Sequence, residues 1–157
     1  LGPYRKTAAK NSNPFTPAVN LYFALEAALE IMQAEGLEPI FARHSRHRAA
    51  AHAAMKAIGL PLFAAEGHGS PAITAVAPNG MDAEQLRKAV KERYDILLAG
   101  GQDHLKGKVF RIGHLGFVCD RDVLTAVAAI ESVLQSIGMH TGTMGAGVSA
   151  ASDVLSQ

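Results

Sequence analysis

Arg111 is the residue of this sequence whose type and setting most clearly suggest a chemical role. It lies within residues 108–117, an alternating apolar stretch that predicts a β-strand. A charge placed there needs an anionic partner, because an unpaired buried charge is costly. The planar guanidinium group fits a carboxylate through two parallel hydrogen bonds. That partner is either a carboxylate of this protein, in a structural salt bridge, or the carboxylate of a ligand.

Thr16 is the second candidate. It precedes Pro17 and a series of apolar residues at helical spacing, which predicts a helix that begins at Pro17 and ends at Gly36, with Thr16 as its N-cap. The N–H groups of a first helical turn and the helix dipole attract anions. Thr16 is therefore either a plain helix cap or a residue that binds a phosphate through its hydroxyl group.

The other reactive side chains match no catalytic or metal-binding pattern. His44 and His47 lie three residues apart, but no Asp, Glu or Cys completes a metal site, so we expect no metal. The basic stretch 43–48 is interpreted as a solvated or subunit-facing helix patch, and the alternative is a stretch that binds phosphate or nucleic acid. The single cysteine, Cys119, excludes an intrachain disulfide and is interpreted as a small apolar residue near a helix start.

The composition argues against several classes of protein. The chain has 157 residues, with 15 Lys and Arg against 14 Asp and Glu. This balance argues against a protein that binds nucleic acid or an anionic membrane surface. No apolar run is long enough to span a bilayer, and no signal-peptide pattern is present. Together with the single cysteine, these features predict a cytoplasmic protein.

The elements that must position Arg111 and Thr16 follow from periodicity and turn signals. We predict two long helices followed by the order β-β-α-β-β-α, which indicates an α+β fold with a small, mostly antiparallel sheet covered by helices. Asp82 and Asp120 are the expected caps of the two later helices. The second long helix is expected over 39–58, and the strands over 62–65, 73–77, 96–99 and 108–117. As domains, we expect an arm or loop over 1–17, a small domain with leading helices over 18–137, and a glycine-rich tail over 138–157 with room for a short helix.

Three stretches resemble a known family. Residues 13–19 (NPFTPAV), the Arg43-His44 helix and residues 107–116 (GKVFRIGHLG) resemble segments that occur in this order, at similar spacing, in class-V aminotransferases. The sequence is most similar to the alanine–glyoxylate and serine–pyruvate group, which includes chains labelled as the small subunit of a soluble hydrogenase. The resemblance covers nearly the whole chain. It implies a fold-type-I enzyme, in which this segment forms the C-terminal small domain with its preceding arm and helix.

The resemblance also implies an activity and roles for residues. The enzyme would depend on pyridoxal 5'-phosphate and move an amino group from alanine or serine to a small 2-oxo acid such as glyoxylate. Arg111 matches the family's arginine that binds the α-carboxylate of the substrate. Thr16 matches a residue that reaches the cofactor phosphate of the neighbouring subunit, so a homodimer is expected.

The lysine that would form the Schiff base with the cofactor is missing from this chain. In the family it lies upstream in a Ser-Gln-Lys-like stretch. The lysines of this chain, none in that context, are Lys6, Lys10, Lys56, Lys88, Lys91, Lys106 and Lys108. Because transamination needs such a lysine, we expect the chain to hold no catalytic residue, to be inactive alone, and to be an excised or proteolysed domain.

Two alternatives remain at this point. The first is another reaction on the same scaffold, such as desulfuration or lyase chemistry. A desulfurase needs a cysteine on a mobile loop, whereas Cys119 directly precedes a predicted helix. The second is a non-catalytic module that binds small molecules or other proteins.

Overall fold

The computed structural model describes residues 1–139 and 142–157. The chain divides into two compact units, Leu1–Ile40 and Phe41–Gln157. The predicted tail, residues 138–157, includes His140, which lies outside the described residues.

The first unit is helical, with an irregular segment over 9–18 between its first two helices. Helix α1 spans Gly2–Ala8 and helix α2 spans Val19–Glu35, while the first residues of α3 (Leu37–Ala57) complete the unit. The composition predicted an arm or loop over 1–17, and α1 forms within it. Pro3 occupies the first turn of α1, where its missing N–H costs nothing.

Helix α2 ends as predicted but begins later than predicted. Gly36 closes it with φ +86°, a conformation that glycine adopts without strain. Its N-cap is Ala18, so the prediction that Thr16 caps this helix was wrong. The Val19 N–H bonds the Pro17 carbonyl at 2.9 Å, and Ala18 has ψ 72°. This tight turn delays the helix until Val19.

The second unit is an α+β domain, which confirms the predicted fold class. Its sheet has three antiparallel strands in the order β1-β3-β2. The elements that follow α3 are β1 (Ile73–Val76), α4 (Ala83–Tyr94), β2 (Ala99–Gly100), a single 3-10 turn (Asp103–Leu105), β3 (Phe110–Gly113), α5 (Asp120–Ser136) and α6 (Ala146–Leu155).

The strands are shorter than the apolar patterns predicted. Residues 62–65 contribute only the bridge Leu62↔Val76, and the strand expected over 96–99 starts at Ala99. Leu98 lies before this strand, and its apolar side chain is buried in the core. A buried side chain outside a strand therefore gives the same sequence signal as a strand. After β3 the chain turns at Gly116, where φ is +79°.

The core of the second unit contains residues from α3, the sheet, α4, α5 and α6. Among its fully buried side chains are Met55, Leu86, Phe110 and Ile130. Each contributes about 1.5–3 kcal/mol relative to an exposed position. Helix α5 packs on both α4 and α6. The core therefore joins the buried face of β3 to the helices of this unit.

Side-chain caps define the starts of the later helices. The Asp82 Oδ1 atom accepts a hydrogen bond from Glu84 N at 2.8 Å, as expected for a cap of α4. The cap of α5 is Cys119, not Asp120 as predicted. The Asp122 carboxylate accepts from Cys119 N at 2.9 Å. The prediction was off by one residue because the Asp120 carboxylate is held by α3, as described below.

Helix α6 lies within the predicted glycine-rich tail. The buried Glu131 side chain of α5 accepts hydrogen bonds from Gly147 N at 3.1 Å and from Val148 N at 3.3 Å. Two N–H groups of the first turn of α6 are thereby satisfied by a residue far away in sequence. Ala151 is fully buried, so α6 is part of the core of the second unit.

Candidate carboxylate-binding site

Arg111 lies in the middle of the sheet. Strand β3 is flanked by β1 and β2, and Arg111 pairs with Ala75 on one side and with Ala99 on the other. Directly paired residues of antiparallel strands project to the same face. The guanidinium group therefore lies on a face whose nearest cross-strand neighbours are two methyl groups.

The two faces of β3 differ in kind. Phe110 and Ile112, which alternate with Arg111, are buried in the core. Arg111 is only half-buried, and Gly113 on the same face is exposed. One face of the sheet is thus the core face, and the other is a partly exposed face on which Ile73 pairs with Gly113 and Arg111 has only small cross-strand neighbours. Those small neighbours leave the arginine partly accessible to solvent.

One hydrogen bond orients the guanidinium group of Arg111. Its Nε atom donates to the Gly100 carbonyl of β2 at 3.0 Å. Within residues 1–139 and 142–157, no carboxylate forms an ion pair with Arg111, and its two terminal nitrogens donate no hydrogen bond. The structural salt bridge considered above is therefore not formed among the described residues. A guanidinium group in this state can bind a carboxylate through two parallel hydrogen bonds.

Basic residues of α3 hold the loop that follows β3. Arg43 donates to the Gly116 carbonyl at 2.9 Å and to the Val118 carbonyl at 3.2 Å. The Gly116 N–H donates to His44 Nε2 at 3.2 Å. These contacts hold the loop that follows β3 against α3.

The same helix also binds the start of α5. The fully buried His47 ring bonds Asp120 Oδ1 at 2.8 Å, and Arg46 pairs with the same oxygen at 3.2 Å. The hydrogen bond from His47, followed by Arg46, lowers the pKa of Asp120. Much of the patch interpreted as solvated or subunit-facing is thus bound within the chain. Sequence reasoning missed this role because the partners lie more than 70 residues away.

A second buried histidine lies one position beyond β3. His114 is fully buried, and its Nε2 atom is 2.9 Å from the Thr74 hydroxyl of β1. Burial, and then the nearby His47 and His52 rings, lower the pKa of His114 to about 4. At neutral pH His114 is therefore uncharged and acts as a hydrogen-bonding core residue.

Thr16 belongs to the first unit. Its side chain is exposed, and its hydroxyl group bonds none of the described residues. Two of the N–H groups expected near it are engaged, since Val19 N bonds the Pro17 carbonyl and Leu21 N bonds the Ala18 carbonyl, each at 2.9 Å. The exposed hydroxyl group is the part of the Thr16 side chain that is accessible to a phosphate.

Metal ligands, membrane-spanning helices and the cysteine concern other possible functions. In the part of the chain that the structure describes, no three His, Cys, Asp or Glu side chains are grouped to hold a metal ion. None of the described helices is both long and apolar enough to cross a membrane. Cys119 is exposed and its Sγ atom lies 3.3 Å from Asp122 Oδ2 at the start of α5.

Comparison with known proteins gives close relatives that are much longer than this chain. No family model matches. The chain is 65% identical, over 156 residues, to the soluble hydrogenase small subunit of Synechococcus sp. (strain PCC 6716), covering 99% of this chain and 41% of that protein. It is 40% identical to the serine–glyoxylate aminotransferase of Arabidopsis thaliana, over 90% of this chain and 36% of that protein.

A solved structure agrees with these relatives. The crystal structure of ureidoglycine–glyoxylate aminotransferase from Bacillus subtilis matches with a TM-score of 0.87 at 33% identity, covering 94% of this chain and 38% of that chain. The chain thus spans about 41% or less of the length of these proteins. Together, these similarities identify it as a relative of the class-V aminotransferases that matches their C-terminal portion.

Proposed function

We propose that this chain is the C-terminal part of a cytoplasmic, homodimeric aminotransferase that transfers an amino group from alanine or serine to glyoxylate. The observation that carries the proposal is Arg111, a half-buried arginine whose two terminal nitrogens have no carboxylate partner among the described residues. Alanine, serine and glyoxylate all carry a carboxylate next to the reacting carbon. Two of the relatives compared above are named for glyoxylate, with different amino donors.

Arg111 would bind and orient that carboxylate. The Nε bond to Gly100 fixes the plane of the guanidinium group, and a planar carboxylate then has one favoured orientation in it. The reacting carbon is held at a set distance from the arginine, which lowers the entropic barrier to reaction. Ala75 and Ala99 beside Arg111 leave space for a small substrate.

The cofactor of the proposed enzyme is pyridoxal 5'-phosphate. When bound, it supplies the carbonyl group that accepts the amino group and the conjugated ring that stabilises the carbanion. In this chain the exposed Thr16 hydroxyl, which has no partner among the described residues, is suited to donate a hydrogen bond to a phosphate oxygen. We propose this role for Thr16.

The 157-residue chain alone is proposed to be inactive. None of its lysines stands in the Ser-Gln-Lys-like context of the family's Schiff-base lysine. The chain also spans only 41% of the length of its relative from Synechococcus. Activity is therefore tested in the full-length protein that carries this chain.

The test is amino transfer from L-serine or L-alanine to glyoxylate, with the cofactor added. We expect Arg111→Ala to lower kcat/KM by a factor equivalent to about 2–4 kcal/mol, for every substrate that carries the carboxylate. The matched control is Arg121→Ala, because the Arg121 side chain is 84% exposed on α5. Full activity of the Arg111 variant would refute the assignment. Release of sulfur from cysteine without amino transfer would instead favour a desulfurase.

A further inference from the structure

A basic cavity lies in the second unit, and it includes neither Arg111 nor Thr16. It has a volume of about 500 Å³ and lies between α3 and the loop 61–69. Three basic residues of α3 line it, namely Arg48, His52 and Lys56. They are spaced four residues apart, so they form one stripe on successive helical turns. The proposed amino transfer uses none of them.

These basic groups have no anionic partner within the described residues. Arg48 makes one long hydrogen bond, at 3.3 Å, to the Gly69 carbonyl. No carboxylate lies within ion-pair distance of Arg48, His52 or Lys56 in residues 1–139 and 142–157. Glu66 is the one acidic residue that lines the cavity, and it pairs with none of them. The local charge is therefore positive.

The opposite wall is suited to approach by an anion. The loop carries Gly67 and Gly69, and neither of their N–H groups donates to an acceptor among the described residues. The His52 ring packs closely beneath Gly69, because a Cβ atom built there would lie 3.0 Å from His52 Cε1. Any larger residue at position 69 would therefore displace His52. Free N–H groups beside a basic stripe are a common feature of anion sites.

We propose that this cavity binds a phosphate group. Two fixed positive charges, from Arg48 and Lys56, favour a dianion over a monocarboxylate. The guanidinium group supplies a planar fork of donors and the ammonium group a point charge, and both groups recur in phosphate sites. The volume and the apolar part of the wall, which includes Leu62 and Ala64, fit a small phosphate ester as well as the free ion.

The titration of His52 gives a local signal for occupancy. Burial, and then the charges of Arg48 and Lys56, lower its pKa. Glu66 from the loop and His114 from the neighbouring strand end are the other titratable groups around it. A bound phosphate would offset the positive field and raise the pKa of His52. This response depends on the cavity and not on amino transfer.

The experiment uses the full-length protein with its cofactor bound, so that the cofactor's own phosphate site is already filled. Inorganic phosphate and glycerol 3-phosphate are titrated at constant ionic strength, with calorimetry for binding and histidine NMR for the pKa of His52. We expect saturable binding and a raised His52 pKa. Acetate serves as the monocarboxylate comparison and should bind at least about tenfold more weakly. Tighter binding of the ester than of the free ion would identify the source of the phosphate.

Substitutions locate the site. Arg48→Gln and Lys56→Gln should each weaken phosphate binding by about tenfold, whereas Glu66→Gln should tighten it because the opposing charge is removed. The matched control is Lys106→Gln, which removes one charge from an exposed position outside the cavity. Thermal unfolding establishes that each variant folds. Binding that never saturates, or that weakens equally in the Lys106 variant, would overturn the proposal, whatever the outcome for amino transfer.

Discussion

Arg111 contributes differently to the stability of the fold and to the binding of a ligand. One hydrogen bond, from Nε to the Gly100 carbonyl, is its only contact of this kind among the described residues. A half-buried guanidinium group without a counter-charge contributes little to stability. Its energetic value would appear only when a carboxylate binds.

We therefore predict that Arg111→Met has little effect on stability and a large effect on activity. The free energy of unfolding should change by no more than about 1 kcal/mol, because one hydrogen bond is lost while an unpaired charge is removed. Amino transfer by the full-length protein should fall sharply. Urea unfolding of the same protein measures the first effect. Phe110→Ala, the buried neighbour, should cost about 3–5 kcal/mol, and an equal loss in Arg111→Met would indicate a structural ion pair.

His114 predicts how stability depends on pH. Its pKa in the folded protein is about 4, compared with about 6.5 in an unfolded chain. Between these values the unfolded state binds more protons, so stability is complete above about pH 6.5 and falls as the pH drops toward 4. The slope contributed by one such group approaches about 1.4 kcal/mol per pH unit.

The variant His114→Gln tests this origin. Glutamine does not titrate and retains an amide that can bond the Thr74 hydroxyl, so the loss of stability between pH 6.5 and 4 should become shallower. His52 has a lowered pKa and will leave part of the slope. Asp120 and Asp122 also have lowered pKa values, but their contribution is lost only below about pH 4. Urea unfolding at pH 4.5, 5.5 and 7.5 measures the difference, and an unchanged slope would contradict the assignment.

The turn after β2 leaves no space for a side chain at Gly101. The Gly101 N–H bonds the Val109 carbonyl at 3.0 Å, and the chain then folds back so that a Cβ atom at Gly101 would overlap the Leu105 carbonyl. A side chain there would force the backbone of the 3-10 turn to move. Because Gly100 is the hydrogen-bond partner of Arg111, such a shift would also reach the arginine.

We predict that Gly101→Ala lowers the free energy of unfolding by more than about 2 kcal/mol, as expected when backbone atoms must shift. Gly113→Ala is the matched control in the same sheet. Its Cβ atom would lie 3.4 Å from Leu115 Cδ2, which is ordinary contact, so the change should be within about 0.5 kcal/mol. Equal stability of the two variants in urea unfolding would show that the turn adapts.

The helices and strands differ in how far the sequence could predict them. Helical periodicity located α3, α4 and α5, and the alternation around Arg111 located β3, because these signals are local. The caps of α5 and α6 were not predictable, since Asp120 is engaged by His47 and the start of α6 by Glu131. Those contacts depend on packing between segments distant in sequence. The sequence likewise could not show that the terminal nitrogens of Arg111 lack a carboxylate partner among the described residues, because this depends on the positions of all nearby carboxylates.

Over the whole molecule, the two units differ in how many apolar side chains they bury. The core cluster lies entirely within the second unit, between Ala50 and Ala151. In contrast, α2 buries no residue. Its exposed apolar side chains are Val19, Leu21, Tyr22, Phe23, Leu25, Leu29, Ile31 and Met32. Apolar exposure of this kind typically marks a surface that another part of a protein covers.

We therefore predict the effect of removing residues 1–36 from the 157-residue chain. The shortened chain keeps every residue of the core cluster, so its urea midpoint should be within experimental error of that of the longer chain. Its binding of a hydrophobic dye such as ANS should fall, because the exposed apolar helix is gone. The variant Leu21→Ser, Phe23→Ser in the longer chain is the control, and should lower dye binding without changing the midpoint. A large drop in the midpoint of the shortened chain would mean that the first unit contributes to the stability of the second.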